Sequence, residues 1–358
     1  MAEIWQSPFW PRFWHDSQRT EAALAAFALR LGRVTGLQSA LSPDEQHAAF
    51  VHDLSREAVA SASVDGITMA VDDIATAARA VRASPGAAPQ NPEDAVATLM
   101  LDARMGQGPL TDERLHHWHA LSFHNEALEE KAQWRTSEVE IVFSTRSGRE
   151  DVFYTAPPPA QVPGDMAAFL AWLNRTDQQP ALLRAALAHL WFESIHPYSD
   201  GSGRVGRAIV DYVVARDMTP PFSLSHQIMA DKRGYYAALR ASRLEGAGGI
   251  DGTEFVLWFL DRLNADMAAT EADARFLLAR NEYFRRFQAL PPRAETLLRR
   301  LFAAGPDRLA QGLSAGQYAT FASVSAATAT RDLAELEATG ALQRGPKGGR
   351  STRYQLVL

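Results

Sequence analysis

The chain has 358 residues, a formal net charge of −6, 46% hydrophobic and 22% charged residues, and no cysteine. That length holds two or three domains with ample core. The lack of thiols excludes a disulfide scaffold, a thiolate zinc site and a cysteine nucleophile, and fits a reducing, cytoplasmic setting. The overall charge excludes a polycation, yet residues 291–358 carry nine Arg and Lys against five Asp and Glu. Such a local excess marks a unit with its own role.

In chain order, MAEIWQSPFWPRFWHD lacks the basic-then-apolar layout of a signal peptide and gathers Trp5, Trp10, Phe13 and Trp14 around Pro8 and Pro11. Helical patterns follow within a first domain, residues 1–85. One of them, PDEQHAAFVHDLSREAVASASV, starts after Ser42, a good N-cap. SPGAAPQNP, residues 84–92, reads as a loop. A second domain, 92–264, has Leu, Ala and Trp recurring every three or four residues. It is interrupted by EVEIVFSTRSGREDVFYT, which predicts a β-hairpin from Glu138 to Tyr154. A lone hairpin needs support, so it is expected to lean over something. A linker helix is expected over 265–290. From 291 to 358, helix-like pieces, the helix SAATATRDLAELEATG and two short strands around a basic glycine loop have the order of a winged helix-turn-helix. The predicted fold is mainly α, and no apolar stretch is long enough to span a bilayer.

The chemistry concentrates in HPYSDGSGRVGR, His196 to Arg207. Apolar helical patterns flank it, so it reads as a tight loop that ends at a helix N-terminus. Such a terminus offers N–H groups and partial positive charge. Glycines let the backbone approach an anion, and Arg204 and Arg207 add fork-shaped donors suited to phosphate. Asp200 would repel phosphate unless a divalent cation lay between them, which magnesium does with one or two carboxylates. A neutral His196 would accept a hydroxyl proton.

This stretch resembles the signature of the Fic family, H-x-F-x-[DE]-G-N-G-R-x-x-R, at His196, Asp200, Gly201, Gly203, Arg204 and Arg207. RTSEVEIVF and the residues after it resemble the family's flap, and QIMADKRGYYAAL a helix that follows the signature. The resemblance implies transfer of AMP from Mg-ATP to a Tyr, Thr or Ser hydroxyl of a target protein, or of the chain itself. His196 would be the base and Asp200 the magnesium ligand. Gly201, Ser202, Gly203, Arg204 and Arg207 would bind the phosphates. Glu138, Val139, Glu140, Ile141, Val142 and Phe143 would hold the target by strand addition. Tyr235 and Tyr236 would wall the nucleotide. Two positions depart from the pattern: Tyr198 stands for Phe and adds a hydroxyl that needs a partner. Ser202 stands for Asn, with a shorter side chain and one rotatable donor.

REAVASASVDGITMA resembles the family's inhibitory helix, [ST]-x-x-x-E-[GN], at Ser61 and Gly66, with Asp65 in place of Glu. The helix spans about 43–66. The resemblance implies that Asp65 pairs with Arg207 and blocks the γ-phosphate, one methylene shorter than its counterpart. In the C-terminal unit, Ser325, Thr328 and Arg331 of the third helix, and Arg344, Lys347, Arg350 and Arg353 of the wing, form a DNA-binding expectation. The alternatives are a DNA-binding regulator whose Fic domain senses nucleotide with little turnover, and an enzyme that removes AMP. A homodimer fits either.

Overall fold

The computed structural model describes residues 3–144, 150–175, 179–243, 245–246, 248–346 and 352–358. It is mainly helical and forms two compact units, residues 1–35 with 42–270 and residues 36–41 with 271–358. Among the described residues no helix is long and apolar enough to cross a membrane.

The first unit begins with β1 (Phe13–Trp14) and α1 (Ser17–Ser39), followed by α2 (Pro43–Val64). Ser42 caps α2 as its sequence predicts: its hydroxyl accepts the Glu45 N–H and Glu45 reaches back, with Pro43 in the first turn. α2 ends at Asp65, where Gly66 turns left-handed (φ +83°) and the Ile67 N–H returns to the Ala62 carbonyl. Next come α3 (Val71–Ala83), α4 (Pro92–Met105) and α5 (Asp112–Ser122). Asn91 and Thr111 accept first-turn N–H groups at the starts of α4 and α5.

β2 (Glu140–Ser144) and β3 (Glu150–Thr155) form the antiparallel hairpin, with Ile141 opposite Tyr154 and a register shift between Ile141 and Val142. Residues 145–149 lie outside the described residues. The strand starts two residues later than expected from Glu138. After the hairpin come α6 (Val162–Leu173), α7 (Ala181–Ile195), α8 (Ser202–Ala215), α9 (Leu224–Ala230), α10 (Lys232–Ala241), β4 (Glu245–Gly246), β5 (Gly249–Asp251) and α11 (Thr253–Arg286). Every residue of α7 except Arg184 is buried. Its run of Leu, Ala, Trp and Phe is apolar all round, as suits a central helix. α7 packs on α8, and residues on both sides of the 84–92 loop share one hydrophobic core.

The N-terminal aromatic cluster has a structural task. Trp5 Nε1 donates to the Thr155 carbonyl and Trp10 Nε1 to Asp165, each at 2.9 Å. β1 runs parallel to β5, pairing Phe13 with Ile250. The opening segment thus braces β3 and α6.

In the second unit, α12 (Pro292–Ala303), α13 (Pro306–Ala310), α14 (Ala315–Ala322) and α15 (Ala326–Ala338) precede the hairpin of β6 (Leu342–Arg344) and β7 (Tyr354–Leu356). Its core is separate and includes Leu298, Tyr318, Leu333 and Tyr354. Asp332 is its polar tie: Arg293 grips it with two bonds of 2.7 Å and the Tyr318 hydroxyl donates to it at 2.9 Å.

Candidate active site

The site is the turn from α7 into α8. His196 caps α7 in a left-handed conformation (φ +48°), its N–H bonded to the Phe192 carbonyl. Gly201 caps α8 at φ +77°, and a β-carbon there would lie 2.5 Å from the Phe123 ring. Both the conformation and the close approach require glycine. Ser202 is buried, and its hydroxyl accepts the Tyr198 N–H at 3.0 Å and donates to the Tyr198 carbonyl at 3.1 Å. The expectation of a phosphate contact from the Ser202 side chain is therefore corrected, while its main-chain N–H stays at the N-terminus of α8. Its side chain is short enough to turn inward and staple the loop.

Tyr198 is buried too. Its hydroxyl finds the partner it needs in His116 Nδ1, 3.2 Å away, and its ring stacks on His119 at 4.0 Å. His119 Nδ1 accepts the Ala132 N–H, so its Nε2 donates to the Asp200 carbonyl at 3.0 Å. Burial holds His119 neutral, its pKa pushed down to about 4.

Two arginines that sequence reasoning passed over fix the loop. Arg135, buried, donates through Nε to the His196 carbonyl at 2.7 Å, and through its other nitrogens to the Pro157 and Ser137 carbonyls. It ties the loop to the base of the hairpin. Arg243, also buried, donates to the Glu193 carbonyl at 3.1 Å and lies 3.8 Å over the Tyr154 ring. Tyr154 in turn donates to the Ser194 carbonyl at 2.7 Å. Neither carries a sequence signal: Arg135 follows Trp134 before the hairpin, and Arg243 lies between Ser242 and Leu244, three residues after Arg240.

His196 keeps 17% of its side chain exposed. Burial first, then the charges of Arg243 and Arg135, push its pKa down to about 3, against the pull of the Glu193 carbonyl. At neutral pH it is an uncharged base. Asp200 is exposed, and one carboxylate oxygen accepts the Gly201 N–H at 2.6 Å. No cluster of three or more His, Cys, Asp or Glu suited to a metal occurs among the described residues. A cation here would need phosphate oxygens to complete its shell, and a single exposed carboxylate fits that use of magnesium.

Arg204 and Arg207 lie one turn apart on α8. Arg204 donates to the Ser122 carbonyl at 2.6 Å, and its guanidinium lies 3.9 Å over the Phe123 ring. Arg207 donates to the Ser61 hydroxyl at 2.9 Å, the Ser61 carbonyl at 3.0 Å and the Asp65 carboxylate at 2.9 Å. The same Asp65 oxygen is 3.4 Å from Arg204 Nε. Asp65 thus reaches Arg207 directly despite its shorter side chain, and Gly66 serves as the turn after it. α2 is anchored behind this contact. Glu57, buried in mid-helix, accepts from the Ser223 hydroxyl at 2.7 Å and the Ser225 N–H at 3.0 Å. Lys232 Nζ donates to the Val64 carbonyl at 3.1 Å.

Tyr235 does not wall a nucleotide. It is buried and its hydroxyl meets His189 Nε2 at 2.9 Å, so ordinary helix packing accounts for it. Tyr236 is half-buried, edge-on to Phe153 of β3. Of the expected flap residues, Glu138 and Val139 precede the ladder, the Val139 carbonyl accepting the Ala156 N–H. Glu140 to Phe143 lie in β2, with Val142 exposed.

In the second unit, the Ser325 hydroxyl accepts the Thr328 N–H and bonds the Thr328 hydroxyl. These two groups cap α15 at the surface, and Ser325 is exposed. Arg331 and Arg344 are exposed, and Arg353 bonds Gln317 at 3.0 Å. Lys347 and Arg350 lie outside the described residues.

Residues 109–214 match the Fic/DOC family, and residues 4–79 match a domain of unknown function, DUF4172. A probable protein adenylyltransferase of Aquifex aeolicus is 30% identical over 94 residues, 26% of this chain and 28% of that protein. A uridine 5'-monophosphate transferase of Xanthomonas campestris is 37% identical over 73 residues, 18% of this chain and 13% of that protein. The chain therefore spans less than a third of these curated relatives. The structure of a Fic family protein from Desulfovibrio desulfuricans superposes with a TM-score of 0.55 at 20% identity, over 96% of this chain and 97% of that one. That last likeness is one of fold.

Proposed function

We propose that this chain, whose residues 109–214 match the Fic/DOC family, is a protein adenylyltransferase that uses Mg-ATP and is restrained by its own N-terminal helix. The observation that carries this reading is the meeting of an uncharged His196 with the arginine-bearing N-terminus of α8 across one tight loop. A base beside an anion site is what transfer from a nucleoside triphosphate to a hydroxyl requires.

His196 takes the hydroxyl proton of the target side chain. The hydroxyl oxygen bonds to the α-phosphorus, and the bond to the bridging oxygen breaks as pyrophosphate departs. Arg204, Arg207 and the first N–H groups of α8 stabilise the charge on the leaving group. Asp200 would hold magnesium, which when bound neutralises phosphate charge. The hairpin supports target binding by main-chain pairing along β2, which orders the hydroxyl for attack. Asp65 and Ser61 occupy Arg207, so productive binding of the triphosphate requires them to give it up.

The test uses ATP labelled on the α- or γ-phosphate, and UTP labelled on the α-phosphate, with magnesium. Wild type, Asp65→Gly and His196→Ala run side by side. The reading predicts α-label but no γ-label from ATP, strongest in Asp65→Gly and absent in His196→Ala. Label from UTP alone would replace AMP by UMP as the transferred group, in line with the Xanthomonas relative. No α-label in any variant would overturn the reading.

A further inference from the structure

Glu193 sits one turn before His196 on α7, and nothing above uses its carboxyl group. It is only 6% exposed, and its Oε1 has no hydrogen-bond partner. His196 Nδ1 is also buried without one. The two groups face each other, Glu193 Oε2 to His196 Nδ1, at 3.8 Å. A buried polar atom without a partner is costly, and two of them side by side require an explanation.

A structural ion pair does not supply it. Arg207 turns Nε and Nη2 to Ser61 and Asp65, and Oε1 of Glu193 takes no hydrogen bond from it. Arg243 donates to the Glu193 main-chain carbonyl and the Ser194 hydroxyl, not to the carboxyl group. Space for the carboxyl is made by Gly206, where a β-carbon would lie 2.7 Å from Oε1. The Glu193 carbonyl also faces the imidazole, while accepting from Arg243 at 3.1 Å, and is the rival acceptor for Nδ1–H.

We propose that Glu193 is the positioning partner of His196: its carboxylate accepts a hydrogen bond from Nδ1–H, which stays on the ring, leaves Nε2 as the proton acceptor, and stabilises the imidazolium formed as the target hydroxyl gives up its proton. The proposal rests on the adenylyl-transfer reading for its catalytic consequence. The proton passes from hydroxyl to Nε2 and stays there until pyrophosphate has left; the carboxylate itself stays ionised. A separation longer than a hydrogen bond is usual before substrate binds and shortens in the reacting complex. Charge gives the pair its purpose. Arg135 and Arg243 both oppose a positive imidazole, and the carboxyl group that faces Nδ1, 3.8 Å away, is that of Glu193. The groups acting on Glu193 itself are Arg207 of α8 and Arg243 beyond α10, which favour its ionisation, and Asp65 at the end of α2, which opposes it. Burial outweighs these and pushes its pKa up to about 7.

The experiment compares Glu193→Gln and Glu193→Asp in the Asp65→Gly background, reading kcat and KM for ATP from pH 5 to 9. Alongside it, ring nitrogen shifts of His196 are recorded by NMR, assigned by their loss in His196→Ala. Glu193→Gln keeps the shape and an acceptor but loses the charge. It is expected to lower kcat on the order of 10–100-fold, leave KM for ATP unchanged, and abolish the rise of kcat with pH near neutrality. Glu193→Asp is expected to keep that rise. In the wild type, the His196 ring shifts should inflect as Glu193 ionises, with Nδ1 protonated. A Gln variant with parental kcat and pH profile overturns the proposal, since the main-chain carbonyl alone would then suffice. Should that variant fail to fold, wild-type ring shifts with no inflection overturn it equally. Absence of AMP transfer in the parent would instead sink the adenylyltransferase reading, while the ring shifts still decide the Glu193–His196 pair.

Discussion

One oxygen of Asp65 lies 2.9 Å from Arg207 Nη2 and 3.4 Å from Arg204 Nε, so a single carboxylate at the end of α2 addresses both arginines of the signature. Asp65 is 35% exposed, which screens its pull, whereas Ser61 beneath it is buried and accepts from Arg207 through both hydroxyl and carbonyl. In the proposed restraint, the hold on Arg207 is shared between a charge and a hydroxyl. Asp65→Gly should raise ATP affinity by roughly 5–30-fold, the equivalent of about 1–2 kcal/mol for a screened charged contact. Ser61→Ala should produce a smaller gain in the same direction. Calorimetric titration with a non-hydrolysable ATP analogue and magnesium checks both, and equal affinities across the three proteins would exclude the restraint.

The Ser202 hydroxyl serves the Tyr198 main chain on both sides, donor and acceptor. Ser202→Ala would leave that buried N–H unpaired and should cost about 1–3 kcal/mol of stability, seen as a lower urea midpoint with an unchanged slope. A variant as stable as wild type would mean that the staple contributes nothing.

A β-carbon at residue 201 would meet the Phe123 ring at 2.5 Å in a backbone conformation that L side chains rarely adopt. Gly201→Ala should therefore destabilise by on the order of 2–4 kcal/mol, summing left-handed strain and overpacking. It should also free Arg204, whose guanidinium lies over the same ring. Thermal unfolding with and without Mg-ATP separates the two effects.

His189 is fully buried between the Gly206 carbonyl and the Tyr235 hydroxyl, and burial pushes its pKa down to about 4. In the unfolded chain it titrates near 6.5. The unfolded state therefore binds more protons between these values, so the stabilising contribution is complete above about pH 6.5 and is lost as pH falls toward 4. Between pH 7 and pH 5 wild type should lose about 2 kcal/mol that His189→Gln does not lose. Parallel urea titrations at the two pH values measure the difference. Identical pH dependence would show that His189 is not held neutral.

Much of the site was legible because its residues are close in sequence and their spacing is that of one loop and one helical turn. Ser42, Gly66 and the hairpin were equally local signals. What stayed hidden was long-range. The inward turn of Ser202 depends on how Tyr198 is packed by His116 and His119, eighty residues away. Tyr235 reads like any aromatic at helical spacing until His189 is seen beside its hydroxyl. Arg135 and Arg243 became visible only once the carbonyls they collect, at Ser137, Pro157, His196 and Glu193, had been brought together by the fold. Ser325 and Thr328 likewise lie where a recognition helix would begin, and the cap they form was available from spacing alone.

The attachment of Asp65 to the protein sets a concentration as well as a contact. A carboxylate tethered at the end of an anchored helix competes for Arg207 at an effective concentration that dilution cannot change. On the proposed function, free nucleotide must outbid it by mass action, and only the fraction of molecules with Arg207 released would bind productively. Whatever loosens the grip of Glu57 on Ser223 and Ser225, or of Lys232 on Val64, would lower that effective concentration without touching the loop where the phosphates bind. If the proposed function holds, the nucleotide level at which the protein would respond is written into the stiffness of α2.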